Sequence, residues 1–153
     1  MNAPASVTAL AITEIADSDV DAVIALWQRC GLTRPWNDPA SDIALARRNA
    51  NSTILVGRAD GAVVATAMVG HDGHRGWVYY VAVDPLRQKQ GFGRAIMDAA
   101  EQWLREAGLP KLQLLVRREN AQAGAFYRGI GYEEADTIVF AKWIDGRTTS
   151  QKS

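Results

Sequence analysis

Apolar residues recur along the chain with two spacings, and the switches between them mark the elements. After a loose start over residues 1–6, Val7, Ala9 and Ala11 alternate with Thr8, Leu10 and Ile12, the period of a first strand. Ser18 with Asp21 resembles a capping box. Val20, Val23, Ile24 and Trp27 then repeat at three and four residues until Gly31, which predicts a helix packing one face on a core. Asp38 before Pro39 reads as an N-cap followed by a first-turn proline. A second helix is expected from there to about Asn49, and the loop 32–38 carries Arg34, Trp36 and Asn37.

Segments 54–59 and 63–69 are rich in β-branched residues and are joined by Asp60-Gly61, a pair suited to a two-residue hairpin because both turn positions need positive φ. A turn region over 70–76 leads into 77–83, a run apolar throughout and so expected to be a central strand. Ile96, Ala99, Ala100, Trp103 and Ala107 mark a long amphipathic helix stopped by Gly108 and Pro110. A strand over 111–116, a helix over 121–130 ended by Gly131, and one or two strands within 132–143 complete the pattern, with a polar tail over 144–153. The strand, helix and strand between 77 and 116 imply a parallel central pair joined by a right-handed crossover, while the earlier hairpins imply antiparallel partners. The fold class is therefore α/β: a mixed, mostly antiparallel sheet of about six to seven strands with helices on both faces. It is expected to form one domain over residues 7–143.

Composition narrows the function. A chain of 153 residues with 48% hydrophobic positions can bury a core without disulfides or metal. Seventeen basic residues balance seventeen acidic ones, so no global field favours nucleic acid or an anionic membrane. The single cysteine, Cys30, and two histidines fall short of a zinc ligand set, and no metal is expected. Cys30 reads as a small buried hydrophobe; the other possibility, a nucleophile, lacks a base at a telling spacing. No Lys or Arg precedes Arg29, and the apolar stretch around 62–70 is too short to span a bilayer, so the expected location is the cytoplasm.

The chemistry concentrates after the central strand, in Arg87-Gln88-Lys89-Gln90-Gly91-Phe92-Gly93-Arg94. A strand end, glycines and a helix start coincide there, which points backbone N–H groups and a helix dipole at an anion. Arg87, Lys89 and Arg94 against Asp84 give this stretch a local positive surplus. A solvated turn with ordinary glycines is the other reading of the same residues. A P-loop is excluded because no Gly-Lys pair occurs, and a dinucleotide fingerprint would need a small residue where Ile96 stands.

The loop resembles the acetyl-coenzyme A pyrophosphate loop of the GNAT acetyltransferases: Gln or Arg, two residues, Gly, one residue, Gly or Ala, matched by Gln88, Gly91 and Gly93. Val81-Ala82-Val83-Asp84-Pro85 is similar to the strand whose backbone pairs with pantetheine in that family. Asn120, Ala123, Phe126-Tyr127 and then Gly131-Tyr132 resemble its second signature. The resemblance covers roughly residues 7–143 and implies a GNAT fold with acetyl-CoA as cofactor. By the same resemblance, Val81, Ala82, Val83, Gln88, Lys89, Gln90, Gly91, Phe92, Gly93, Arg94, Asn120 and Tyr127 hold that cofactor. Many members carry Arg then Gly where this chain has Gln88 and Lys89, a departure that implies altered affinity.

Acyl transfer from a thioester to an amine needs a neutral amine, a stabilised carbonyl oxygen and a proton for the departing thiolate. The resemblance makes Tyr127 the general acid. A phenol of pKa about 10 is protonated where a thiolate of about 8.5 leaves. Packing on the core beside Phe126 is the alternative role for Tyr127, and Asn120 reads either as a plain N-cap or as one that also contacts the cofactor. The backbone N–H groups of Val81 and Val83 would stabilise the carbonyl if the strands at 77–83 and 111–116 splay. Residues 77–80 offer no carboxylate, so the general base is open among Asp38, Asp72, His74 and Glu133.

Residues 34–38 and 72–76 also resemble the small bacterial YpeA-type subgroup of the family, in which the loop between the first two helices borders the acceptor pocket. Arg34 or Arg75 can grip a substrate carboxylate, and Trp36 beside Asn37 can wall the pocket; equally, Trp36 can cover the core and Arg75 can be a turn residue. The expected activity is N-acetyl transfer from acetyl-CoA to a small amine or peptide amine, with an acyl-CoA-binding regulatory module as the alternative. No nucleic-acid or membrane partner is expected, and an edge strand leaves room for a homodimer.

Overall fold

A computed structural model of the chain describes residues 9–147 and groups them into two compact units, one of residues 9–33 and 37–114, the other of 34–36 and 115–147. The first unit holds β1 (Ala11–Glu14), α1 (Val20–Arg29), α2 (Pro39–Arg47), β2 (Ser52–Ala59), β3 (Ala62–His71), β4 (Gly76–Val83), α3 (Phe92–Glu106) and β5 (Leu112–Gln113). Its sheet runs β1-β2-β3-β4-β5, antiparallel except for the parallel pair β4–β5 joined through α3. The Asp60-Gly61 turn takes φ of 53° and 78°, the positive values that tie β2 to β3 as the sequence requires.

Both faces of the sheet are covered. Ile54, Val56 and Ala82 pack with Val23, Leu26 and Trp27 of α1 and with Ile43 and Ala46 of α2. On the opposite face, His71 lies against Trp103 and Gly76 against Leu104, both on α3. At Gly76 the strand and α3 approach closely: a Cβ built there would lie 2.4 Å and 2.6 Å from the two δ carbons of buried Leu104. Gly76→Ala is therefore expected to cost about 1–3 kcal/mol through overpacking, measurable as a shift of the urea midpoint.

Several boundaries differ from the sequence pattern. The cap before α1 is not the Ser18–Asp21 pair; the Asp19 carboxylate accepts the Ala16 N–H at 2.8 Å across a 3-10 turn. The second helix stops at Arg47, because Asn49 accepts the Asn51 N–H in a turn that leads straight into β2. The strand expected over 111–116 contracts to Leu112–Gln113, since its ladder with β4 reaches only Trp77. The first strand is Ala11–Glu14; Val7 and Thr8, the loose start 1–6 and tail residues 148–153 lie outside the described residues.

The second unit contains α4 (Ala121–Gly129). Residues 132–143 form no ladder among the described residues, and Ile138, Val139 and Phe140 stand exposed. A β-rich sequence becomes a strand only where a neighbour completes its hydrogen bonds, so among the described residues the sheet numbers five strands instead of six to seven.

Candidate functional site

In the first unit the site grows from β4. Its outer edge pairs with β5 at Gly76 and Trp77, and 78–83 have no strand partner on that edge among the described residues. Opposite β3, one extra residue intrudes: Met68 faces Tyr79 and Thr66 faces Ala82, which leaves Ala67 against both Tyr80 and Val81. This is a bulge, and Tyr80 takes the left-handed φ of 51° that side chains other than glycine rarely adopt. Beyond it Ala82 turns its backbone to β3, while Val81 and Val83 turn theirs outward.

Four side chains surround the bulge. The Trp27 Nε1–H donates to the Thr66 hydroxyl at 2.9 Å, and that hydroxyl donates to the Tyr80 carbonyl at 2.9 Å. The Tyr80 ring stacks on Trp27 at 3.8 Å between centroids, and its phenol donates to Asp42 Oδ2 at 2.6 Å. Burial and the Asp42 contact push the Tyr80 phenol well above its ordinary value. None of these four residues was singled out by the sequence as part of a site: the hydrogen-bonded pairs among them stand 14 to 39 positions apart, and no local spacing connects them.

After β4 the chain makes the phosphate-type loop. Asp84 accepts the Leu86 N–H at 3.0 Å and the Arg29 guanidinium at 3.0 Å, which fixes the Pro85–Arg87 turn. Arg87 reaches Asp60 at 3.2 Å and covers the Phe92 ring at 5.6 Å. Lys89 adopts φ of 63°, the conformation a glycine would supply, and Gly91 caps α3 at φ of 80° with no side-chain cap. Ala95 is the first residue bonded back, to the Gly91 carbonyl, so the N–H groups of Phe92, Gly93 and Arg94 have no intrahelical acceptor. Gln88, Lys89, Gln90 and Arg94 are exposed, whereas the Phe92 side chain is buried.

The second unit carries the other signature. Asn120 caps α4 by accepting the Ala123 N–H at 3.1 Å, which leaves its NH2 group outside the cap. Tyr127 meets Phe126 and Tyr132 edge to face at 5.0 and 5.8 Å, and burial pushes its phenol up to about 12.

The residues expected to border the acceptor divide between the units. Asn37 and Arg75 belong to the first. Arg75 sits in a turn held by Asp72, which accepts the His74 and Arg75 N–H groups at 2.9 and 2.8 Å. Arg34 and Trp36 belong to the second, where the Arg147 guanidinium donates to the Trp36 carbonyl and covers the Trp143 ring at 3.8 Å. Trp36 Nε1 is buried with no partner among the described residues. Of the base candidates, Asp38 is held below the usual carboxylate range by the Ser41 hydroxyl and the Ala40 N–H, and Asp72 by the turn N–H groups it accepts. Both serve as local caps, which suits them poorly to take a proton. His74 and Glu133 are exposed. No helix among the described residues is long and apolar enough to cross a membrane.

Comparison with known proteins bears on the family and the fold. The family model described as "Acetyltransferase (GNAT) family" matches residues 13–132. Acetyltransferase YE1169 of Yersinia enterocolitica is 41% identical over 125 residues, covering 82% of this chain and 89% of that protein. Among solved structures, the ribosomal-protein-S18-alanine N-acetyltransferase from Escherichia coli superposes with a TM-score of 0.70 at 26% identity, covering 83% of this chain and 79% of that one. The AAC(6')-Iy structure, in complex with a bisubstrate analogue, reaches 0.78 at 14% identity, covering 89% and 99%. The last likeness concerns the fold alone.

Proposed function

Because the chain belongs to the acetyltransferase (GNAT) family, we propose that it is an N-acetyltransferase that moves an acetyl group from acetyl-CoA to a primary amine of a small molecule or peptide. Acetyl-CoA is the co-substrate that family membership implies. The observation that carries the reading is the unpaired β4 edge running into an uncapped helix start. An extended thiol-ended chain bonds to the former, and a pyrophosphate suits the latter.

In this reading, Gln88 to Arg94 supply N–H groups and positive charge to the pyrophosphate, with Lys89 offering backbone in a glycine-like conformation. Val81 and Val83 bond the pantetheine and the acetyl carbonyl, Ala82 keeps the strand in place, and the Asn120 NH2 group adds a cofactor contact. The amine nitrogen attacks the thioester carbon directly, the C–S bond breaks, and Tyr127 gives its proton to the departing sulfur while the amine sheds one to water. Arg34 or Arg75 would grip an acceptor carboxylate beside Trp36 and Asn37. An acceptor of low basicity suits this site, since deprotonating an α-amine of pKa about 7.8 at pH 7 costs about 1 kcal/mol against about 4.6 for lysine.

Thermal unfolding with acetyl-CoA, NAD and ATP tests the reading. At about a hundred times its dissociation constant acetyl-CoA should add about 2.7 kcal/mol, a rise in Tm on the order of 5–11 °C, with no rise from the other two. Absence of that rise would remove the acetyltransferase assignment. Thiol release would then be followed with neamine and an alanine-ended peptide, acceptor types suggested by the names of two relatives. Binding with no release on any amine would favour a regulatory acyl-CoA-binding module.

A further inference from the structure

We propose that Thr66 is a positioning residue: its hydroxyl sets the plane of the Tyr80–Val81 peptide and so aims the Val81 N–H at the thioester carbonyl of bound acetyl-CoA. This rests on the acetyl-CoA reading given above. The direction follows from the ladder. Gly76 donates its N–H to Lys111 on the β5 side of β4, while Asp84 donates to Val64 on the β3 side. Residues an even number apart on a regular strand would share an edge, so the phase flips once between them, at the extra residue opposite Ala67. The N–H groups of Tyr80 and Val81 consequently both point to the edge that β3 does not occupy, while the carbonyl of left-handed Tyr80 is left to face Thr66.

Thr66 makes that orientation definite. An indole N–H can only donate and a carbonyl can only accept, so the hydroxyl between Trp27 and Tyr80 must take one bond and give the other. The Tyr80 carbonyl is thereby drawn toward Thr66. In a planar trans peptide the N–H points opposite to the carbonyl, which sends the Val81 N–H away from β3 toward the unpaired edge. Thr66 is fully buried in a strand otherwise rich in Ala and Val, a place where an apolar residue would serve packing as well. The stack of Tyr80 on Trp27 and the bond from its phenol to Asp42 hold the side chain on the other arm of the same left-handed residue. Bracing from both arms keeps a donor preorganised where charge develops on the carbonyl oxygen.

The test compares Thr66→Val with Thr66→Ser in the full chain. Two readouts are needed: the infrared carbonyl band of acetyl-CoA carrying 13C at the carbonyl, and the dissociation constants of acetyl-CoA and CoA by calorimetry. The unsubstituted protein should displace the bound carbonyl band to lower frequency. Thr66→Val should abolish most of that displacement and cut the preference for acetyl-CoA over CoA about fivefold, whereas Thr66→Ser retains both. Should Thr66→Val fail to fold, Tyr80→Phe keeps the ring on Trp27, loses the Asp42 bond and should give a smaller loss in the same readouts. An unchanged band and ratio in the folded variant would overturn the proposal. So would an undisplaced band in a parent protein that binds acetyl-CoA. A parent that binds neither ligand would overturn the acetyl-CoA reading itself, and the role of Thr66 with it.

Discussion

Replacing Tyr127 by phenylalanine is expected to lower turnover by a factor of about 100 to 10,000 while the dissociation constant for acetyl-CoA stays within about twofold. The phenyl ring preserves the edge-to-face contacts with Phe126 and Tyr132, so only the hydroxyl and the proton it carries are removed. Surroundings that penalise a phenolate penalise a bare thiolate as well, and there a donated proton matters most. With its phenol pushed up to about 12, Tyr127 remains an acid throughout the neutral and mildly alkaline range. Turnover against pH should show no descending limb from this residue below about pH 11. The sign for stability is fixed too. The unfolded chain releases the phenolic proton near pH 10 while the folded chain holds it to about 12, so stability is complete below pH 10 and falls as pH rises between the two. Urea unfolding at pH 9 and 11 should show a smaller loss for the variant than for the parent. Unchanged turnover in Tyr127→Phe would take the acid role from it.

Trp27→Ala should destabilise the protein by about 3–5 kcal/mol, a large share of the 5–15 kcal/mol typical of a domain. Trp27 has no exposed surface, and its removal leaves a cavity between α1 and the sheet. It also deprives Tyr80 of its stacking partner and the Thr66 hydroxyl of a donor. Trp27→Phe retains a ring under Tyr80 and is expected to lose less than half as much. Leu45→Ala, at a side chain 54% exposed on α2, should fall within about 0.5 kcal/mol of the parent. Equilibrium urea unfolding monitored by circular dichroism orders the three, and a Trp27→Ala variant as stable as Leu45→Ala would refute the role given to this packing.

The contrast between these residues shows what a sequence can reveal. The hairpin at Asp60-Gly61, α3 and the loop from Gln88 to Gly93 were legible because each depends on neighbours a few positions away: positive φ at a turn, a repeating apolar stripe, glycines before a helix. The parallel placement of β4 and β5 followed from the chirality of crossover connections. Tyr80 was not legible. Its left-handed backbone is imposed by Trp27, Thr66 and Asp42, which arrive from α1, β3 and α2, and nothing in Trp77-Val78-Tyr79-Tyr80 distinguishes the bulged tyrosine from the one before it. The strands expected within 132–143 failed for the converse reason: their residues have the right character, but pairing is a property of two segments, and no partner ladder forms among the described residues. Lys89 shows a third case, where side-chain identity suggested a departure from the family loop and the backbone nevertheless adopts the glycine-like angle.

Cys30 donates its thiol to the Val83 carbonyl at 3.3 Å, and burial pushes that thiol above its ordinary value. A thiol held protonated reacts slowly with disulfide reagents, because the thiolate is the attacking species. Since the chain has no other cysteine, free CoA released during turnover can be titrated colorimetrically over a nearly silent protein background. For the same reason the purified protein should keep its thiol through storage in air, with no cross-linked species on a non-reducing gel.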